Sequence, residues 1–491
     1  MANKFASEMS RRDFIKTSGA SVLSVGLVPF LPLAEMAQGV NQAAIQELQK
    51  QLRGELLRPS DGGYDAARRV WNGMVNKRPA FIVRCAGAAD VIDSVNFART
   101  NNLPISVRGG GHNVAGSAVC DGGIMLDLSR MKSIRVDSVS GTARAEPGVN
   151  WAEFDHETQA FGLATTGGTC AQTGIAGVTL GGGEGWLMRK YGLTMDNLLS
   201  VDLVTADGKL RKADASENTD LFFGVRGAQS NFGVATSLEY RLHPVSMVLA
   251  GVILHPLERA KEVLKLYTEF NRGAPEEMSA MAFLMTSSDG HPAVAIAVCY
   301  IGSVEQGEKV VRPLKKFGPP MADMIQPMPY LKAQSMLRTL PPGRLNYWKS
   351  NMLREFSEDA MDRLIESFKQ VTSRDSSVLV LQLGGAVKRL GKDGTAVNHR
   401  TSPYNLVIMS EWSDSSESEK HIRWTDELWN AMQPFSSGGV YVNALGNEGE
   451  ERVKAAYGNN YERLVSLKNK YDPTNLFRFN QNIRPTFRKG S

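Results

Sequence analysis

Val107-Arg108-Gly109-Gly110-Gly111-His112-Asn113 decides how the first half of this chain is read. Residues 104–108 read as a short strand, and the three glycines after it let the backbone turn tightly and present several N–H groups to an anion such as a diphosphate. Upstream, residues 79–85 (Pro-Ala-Phe-Ile-Val-Arg-Cys) read as a buried strand. Residues 87–101 between them read as a helix, with Val91, Ile92, Val95 and Phe97 at apolar positions. The spacing predicts a β-α-β unit ending in a glycine loop. A second run, Gly181-Gly182-Gly183-Glu184-Gly185, shares one property with the first: neither has the G-x-G-x-x-G spacing that opens a helix in a Rossmann dinucleotide site. The loop type argues against a nicotinamide enzyme.

Further strands are expected over 123–128, 133–145, 199–212 and 231–243, the third folding over Ala206-Asp207-Gly208 as a hairpin. With a helix over about 41–53, residues 38–244 form one α+β domain. From 245 to 450, strand-like runs (250–255, 293–301, 377–383, 404–412) alternate with amphipathic helices such as 257–270 and 417–432, the pattern of an antiparallel sheet covered by helices on one face. A chain of 491 residues exceeds what one core usually supports, so two domains are the expectation. Hydrophobic residues at 42% and charged residues at 22% are those of an ordinary globular protein.

A net charge of +5 is spread thinly, with no dense Lys/Arg block interleaved with aromatics, so nucleic acid is not an expected partner. The N-terminus carries more information. Ser10-Arg11-Arg12-Asp13-Phe14-Ile15-Lys16 precedes an uncharged stretch over 17–33, which reads as a twin-arginine export signal over residues 1–37, cleaved near Ala34 or Ala37. The alternative, an uncleaved membrane anchor, is opposed by the glycines and prolines in a stretch shorter than the ~20 apolar residues of a span. This route carries proteins already folded, which suits an enzyme loaded with its cofactor before export to the periplasm or beyond. The four cysteines, Cys85, Cys120, Cys170 and Cys299, are too widely spaced for a zinc set or a dense disulfide framework, and no histidine pair has ligand spacing, so no metal site is expected.

Five ordered segments resemble the FAD-linked oxidases of the vanillyl-alcohol oxidase and p-cresol methylhydroxylase superfamily, in its berberine-bridge-enzyme-like branch. They are the 107–113 segment; Gly167-Gly-Thr-Cys-Ala-Gln-Thr-Gly174; Gly181-Gly-Gly-Glu-Gly-Trp-Leu-Met-Arg-Lys-Tyr-Gly192; Leu221-Phe-Phe-Gly-Val-Arg-Gly227 with Asn231-Phe-Gly233; and Tyr471-Asp-Pro-Thr-Asn-Leu-Phe477 with Asn480-Gln-Asn-Ile483. The resemblance implies an α+β fold with a two-lobed FAD domain, a substrate domain and a C-terminal segment, 451–491, returning to the FAD domain. It implies FAD bound covalently twice, through His112 to the flavin 8α-methyl carbon and through Cys170 to ring carbon 6. An imidazole nitrogen and a thiolate are suitable nucleophiles, and neighbouring N–H groups are expected to lower the thiol pKa. It further implies cofactor contacts from the backbone of Arg108, Gly109, Gly110, Gly111 and His112 with Asn113; from Gly168, Cys170, Thr173, Gly174 and Gly177; from Gly181, Gly182 and Gly185; and from Val234 and Asn480. One departure is mild: Arg226-Gly-Ala-Gln-Ser-Asn-Phe-Gly233 replaces a glycine-richer run but keeps its last three residues.

On the substrate side the resemblance implies oxidation of an alcohol or related C–H group of a small saccharide, phenolic, alkaloid or polyketide, with a hydride passing to flavin N5, a proton to a base, and O2 taking the electrons. A dehydrogenase serving a protein or quinone, and a non-catalytic flavin carrier, are the competing readings. Relatives often place an aromatic base where this chain has Ala444, in Tyr441-Val-Asn443-Ala444. The catalytic candidates are therefore Tyr441; Tyr347, in Arg344-Leu-Asn-Tyr-Trp-Lys-Ser350; and Gln382, which cannot be a base but can orient substrate.

Overall fold

The structure is a computed structural model, and it describes residues 40–337, 339–389, 391 and 394–486. The export signal expected over residues 1–37 lies outside them. Among the described residues no helix is long and apolar enough to cross a membrane.

The first helix is Gln42–Gln51, opened by Asn41, whose side chain accepts the Ala43 N–H at 2.8 Å. The β-α-β unit is Phe81–Arg84, Ala88–Thr100 and Ile105–Arg108. Its strands are parallel but not adjacent. Ile124–Asp127, buried throughout, lies between them and pairs with both, and Glu55–Leu57 adds an antiparallel edge. The helix lays Val91, Val95 and Ala98 on this sheet, in one core with Val83, Ile105 and Leu126. The loop 109–113 thus leaves the carboxyl end of a parallel strand, where open α/β sheets bind ligands.

A second sheet of five antiparallel strands runs Ile134–Asp137, Thr142–Ala145, Gly233–Arg241, Leu198–Thr205, Leu210–Asp214. The single strand expected over 133–145 is two. Asp137 accepts the N–H groups of Val139 and Ser140, and Gly141 at φ +64° completes a reversal that pairs the halves. The hairpin after Thr205 forms as expected, with the Gly208 N–H donating to the Thr205 carbonyl at 2.9 Å.

The rest of the chain builds an eight-stranded antiparallel sheet. Its long strands run Met247–Pro256, Pro292–Tyr300, Met278–Thr286, Ser377–Gln382, Tyr404–Trp412, Leu345–Leu353. Two of them, Met278–Thr286 and Leu345–Leu353, were not expected from the sequence: the first is rich in Met and Ala, which favour helices, and the second carries Asn, Lys and Ser between its apolar residues. Helices Ala260–Gly273, Val304–Lys316, Glu358–Phe368 and Ser418–Ala431 contribute Tyr267, Leu314, Phe368 and Trp424 to one core with the sheet. Alternation along the strands assigns the two faces. Ala280, Ala282, Val378, Val380, Leu406 and Ile408 meet the helices, while Met281 and Leu381 meet Trp186, Leu187 and Met188 of the first unit.

Helices Glu450–Tyr457 and Tyr461–Tyr471 return to the five-stranded sheet, burying Val453, Tyr457 and Leu464 with Leu221, Phe222 and Phe223. Lys468, with no exposed surface, donates to Asp472 Oδ2 and to the carbonyls of Asn231 and Phe477, each at 2.8 Å. Asn231 in turn binds the Gln481 carbonyl and the Ile483 N–H. The motif Asn231-Phe-Gly is thereby tied to the C-terminal segment.

Candidate active site

A cavity of about 320 Å³ opens where the two units meet. One wall is mostly backbone, from the 109–113 and 168–177 loops, Gly233 and Asn480; the facing wall is the large sheet, with Met281, Trp348, Leu379, Leu381, Val407 and Met409. Glu184, Tyr441, Asn443 and Ala444 complete it.

The glycines have different reasons. A Cβ on Gly110 would lie 2.6 Å from Gly174 N, and one on Gly174 2.5 Å from Gly110 N, so the two loops cross with backbone against backbone. A Cβ on Gly177 would meet nothing within 4 Å, and since this residue lines the cavity, a side chain there would stand in it. Gly109, Gly111, Asn113, Gly168 and Thr173 also line it. Five of the expected cofactor residues do not. Gly181 and Gly182 lie against Asn443 and Tyr441, a Cβ on Gly185 would run into the Gly167 carbonyl, and Val234 points into the core of the first sheet. Arg108 turns its guanidinium to the Ala67 carbonyl at 2.7 Å. These five support the wall from behind.

His112 lines the cavity with one ring face stacked on Trp71, centroids 4.3 Å apart and planes 15° from parallel. Trp71 is itself held by its indole N–H bond to the Leu340 carbonyl at 2.9 Å. Burial lowers the His112 pKa to about 4, and its buried Nε2 has no hydrogen-bond partner among the described residues. A neutral imidazole therefore stands at the wall. Cys170 donates to Gln172 Oε1 at 3.2 Å. Its thiol pKa is raised, not lowered as expected: burial outweighs the N–H groups of Gln172, Leu340 and Thr173.

Two catalytic candidates fall on the wrong face. Trp348, Leu379 and Leu381 point into the cavity, so their neighbours Tyr347 and Gln382 point out of it. Tyr347 donates to Asp426 Oδ1 at 3.0 Å beneath the covering helix Ser418–Ala431, and Gln382 donates to the Asn271 carbonyl at 3.0 Å. Neither lines the site.

Tyr441 does line it. Its phenol oxygen accepts three hydrogen bonds, from the N–H groups of Gly183 (3.0 Å) and Glu184 (3.3 Å) and from Asn443 Nδ2 (3.0 Å). Burial, then the neighbouring Glu184 carboxylate, push its pKa far above the ordinary phenol value despite those donors, so it stays protonated at neutral pH. Glu184 is the group the sequence reading passed over. Deep in the molecule, it lines the cavity, and burial raises its pKa to about 7 against a single opposing hydrogen bond from Asn405 Nδ2 to Oε2 at 2.8 Å. Ser350 donates to Asn405 Oδ1 at 2.9 Å and so orients the amide with its NH2 toward Glu184. The available signal was a lone carboxylate among four glycines.

This arrangement fits FAD. The interlocked glycine loops offer backbone N–H groups for a diphosphate, the orphaned Nε2 of His112 and Oδ1 of Asn480 await partners, and the apolar sheet face suits a flat ring system. FAD would be held by the 109–113 and 168–177 loops with His112, Cys170 and Asn480.

Comparison with known proteins agrees. Residues 79–214 match the FAD binding domain family, and residues 440–484 match the family described as berberine and berberine like. The chain is 33% identical over 454 residues to (R)-6-hydroxynicotine oxidase of Paenarthrobacter nicotinovorans, covering 88% of this chain and 97% of that one. It is 31% identical over 447 residues to an FAD-linked oxidoreductase of Dictyostelium discoideum, covering 90% and 97%. The crystal structure of 6-hydroxy-D-nicotine oxidase from Arthrobacter nicotinovorans superposes with a TM-score of 0.82 at 31% identity, over 88% of this chain and 98% of that one. With nearly the whole length of such relatives matched and a cavity that fits their cofactor, the chain belongs to the berberine-bridge-enzyme-like family and is an FAD-dependent oxidoreductase.

Proposed function

We propose that this protein carries FAD attached through His112 and Cys170, and oxidises a flat, largely apolar small molecule at a carbon bearing a hydroxyl or amine, with Glu184 as the base. The observation that carries the reading is Glu184 itself: a carboxyl with a pKa of about 7, facing a cavity walled on the substrate side by Met281, Leu379, Leu381, Val407 and Met409. A general base works best with a pKa near the operating pH, and this one needs no help from the aromatic that Ala444 replaces. FAD held here would supply the acceptor for the substrate hydride, with O2 as the final acceptor of the electron pair and H2O2 as the by-product. Glu184 takes the proton from the substrate O–H or N–H, Asn405 holds the carboxylate in place, and Tyr441 stays a neutral neighbour.

The similar proteins named as 6-hydroxynicotine oxidases act on a ring compound. An apolar wall suits such a molecule better than a saccharide, whose many hydroxyls would be left unpaired against it. The export signal complements this reading: the enzyme leaves the cytoplasm folded and already carrying its flavin.

Acid precipitation of the purified protein tests the attachment, with yellow colour expected in the pellet; free flavin in the supernatant refutes it. Anaerobic bleaching of the flavin by a panel of (R)- and (S)-6-hydroxynicotine, veratryl alcohol and cellobiose tests the substrate class. Reduction by a ring compound is expected, and reduction by cellobiose alone overturns the assignment. Admitting air should restore the colour and release H2O2, whereas reduced flavin that persists in air points to a dedicated acceptor.

A further inference from the structure

Glu184 and Tyr441 line a second cavity as well. It measures about 10 Å³, and Leu193, Val397, His399 and Arg400 close it on the other sides. This is the space of one water molecule, and polar groups with hydrogen-bonding capacity to spare surround it. Nδ1 of His399 and Nε of Arg400 are both buried and have no partner among the described residues. Arg400 cannot swing away, because its other nitrogens clamp Asp196 at 2.6 and 2.9 Å with both side chains 2% exposed. The Tyr441 oxygen already accepts three N–H groups, so its own O–H has to donate to something else. Glu184 spends only Oε2 on Asn405. Nδ1 of His399 is an acceptor in the tautomer that carries the proton on the other ring nitrogen. The ring lies deep among packed atoms yet keeps part of its surface accessible.

We propose that this second cavity is a water site through which protons pass from Glu184 to His399, an exit that stays open while substrate fills the main cavity. The inference rests on Glu184 being the base. In each turnover Glu184, protonated by the substrate, gives its proton to the water. The water gives one of its own to His399 Nδ1; the imidazolium loses its Nε2 proton to solvent, and proton exchange with solvent returns the neutral ring to the Nδ1-acceptor tautomer before the next turnover. No electrons move in this step. Burial and the Arg400 charge hold the His399 pKa down at about 4, so the ring rests neutral and parts readily with the extra proton. Asp196 beside the site is paired with Arg400, and Arg226 stands close enough to feel both charges.

The test uses flavin-loaded His399→Gln, which keeps size and removes the titrating nitrogen, and Val397→Ile, which fills the cavity with a methyl group. The reductant is the panel compound that bleaches the wild-type flavin fastest. Bleaching is followed by absorbance and proton release by phenol red in weak buffer. At pH 8 the first bleaching is expected within about twofold of wild type in both variants, because Glu184 is about nine-tenths ionised there, while proton release lags at least about tenfold behind it. Proton release in step with bleaching, in either variant, overturns the relay. Normal bleaching in Glu184→Gln would instead overturn the base assignment, so the two failures are told apart. A crystal structure of the loaded enzyme provides a measurement independent of folding in the variants: one ordered water within hydrogen-bond reach of His399 Nδ1 and Arg400 Nε is expected, and a dry cavity refutes the proposal.

Discussion

In Glu184→Gln the amide oxygen still accepts the hydrogen bond that Asn405 Nδ2 gives to Oε2 at 2.8 Å, so the loop, the Tyr441 contact and the flavin pocket keep their shape and only the power to take a proton is lost. A positioned general base contributes about 10²- to 10⁴-fold, or about 3–5 kcal/mol of barrier. The full loss should appear at pH 8, where a carboxyl with a pKa of about 7 is about nine-tenths ionised in the wild type. The sign of the pH dependence follows from which form works. Only the carboxylate accepts a proton, and burial has raised the pKa from 4.5 to about 7, so wild-type flavin reduction falls as the pH drops through 7 and levels off above it. Stopped-flow absorbance under anaerobic conditions reads the limiting rate of bleaching from pH 5.5 to 9. The variant should be slower by about 10²-fold or more at pH 8 and flat across this range. A variant within about twofold of wild type, or one that keeps the rise through pH 7, refutes the assignment and leaves the proton with another group.

Gly110→Ala puts a methyl 2.6 Å from Gly174 N, where only backbone movement makes room, so the two loops should part and the purified protein should be colourless while its far-UV circular dichroism is retained. Attachment at Cys170 should accelerate as pH rises from 7 to 9 when flavin-free protein is mixed with FAD, because the buried thiol ionises only above its ordinary pKa; attachment at His112, neutral above about pH 4, should not respond, and mass spectrometry of flavin-bearing peptides distinguishes the two. Lys468→Met removes the cation from a fully buried cluster and leaves Asp472 without its counter-charge, which should cost about 3–5 kcal/mol in equilibrium denaturation and detach the C-terminal segment first, seen as early loss of amide protection at Gln481 and Ile483.

The cofactor side of the molecule was largely legible before any coordinates. Glycine loops are local devices: the turn after Ile105–Arg108 needs glycine whatever the rest of the chain does, and a histidine and a cysteine inside such loops are carried to the cavity with them. Even there the reasons differed. Gly181, Gly182 and Gly185 are glycines because Asn443, Tyr441 and Gly167 press against them, contacts made with residues up to 262 positions away in the case of Gly181 and Asn443. The substrate side was read poorly. Gln382 missed the cavity by one residue, since a strand shows which residues share a face but not which face turns inward, and Tyr347 lies on a strand, Leu345–Leu353, that the sequence did not announce.

Local sequence therefore carried the α+β class and the glycine loops that line the flavin cavity, and placed His112 and Cys170 in those loops, because each of these follows from chemistry within a few neighbouring residues. Which side of the large sheet faces the cavity, the net rise of the Cys170 pKa, and the conversion of Glu184 from one letter in a glycine run into a cavity-lining carboxyl with a pKa of about 7 came from packing. The physical reason is the same in all three: desolvation depends on how many atoms from distant segments crowd a group, and that number exists only once the chain has folded.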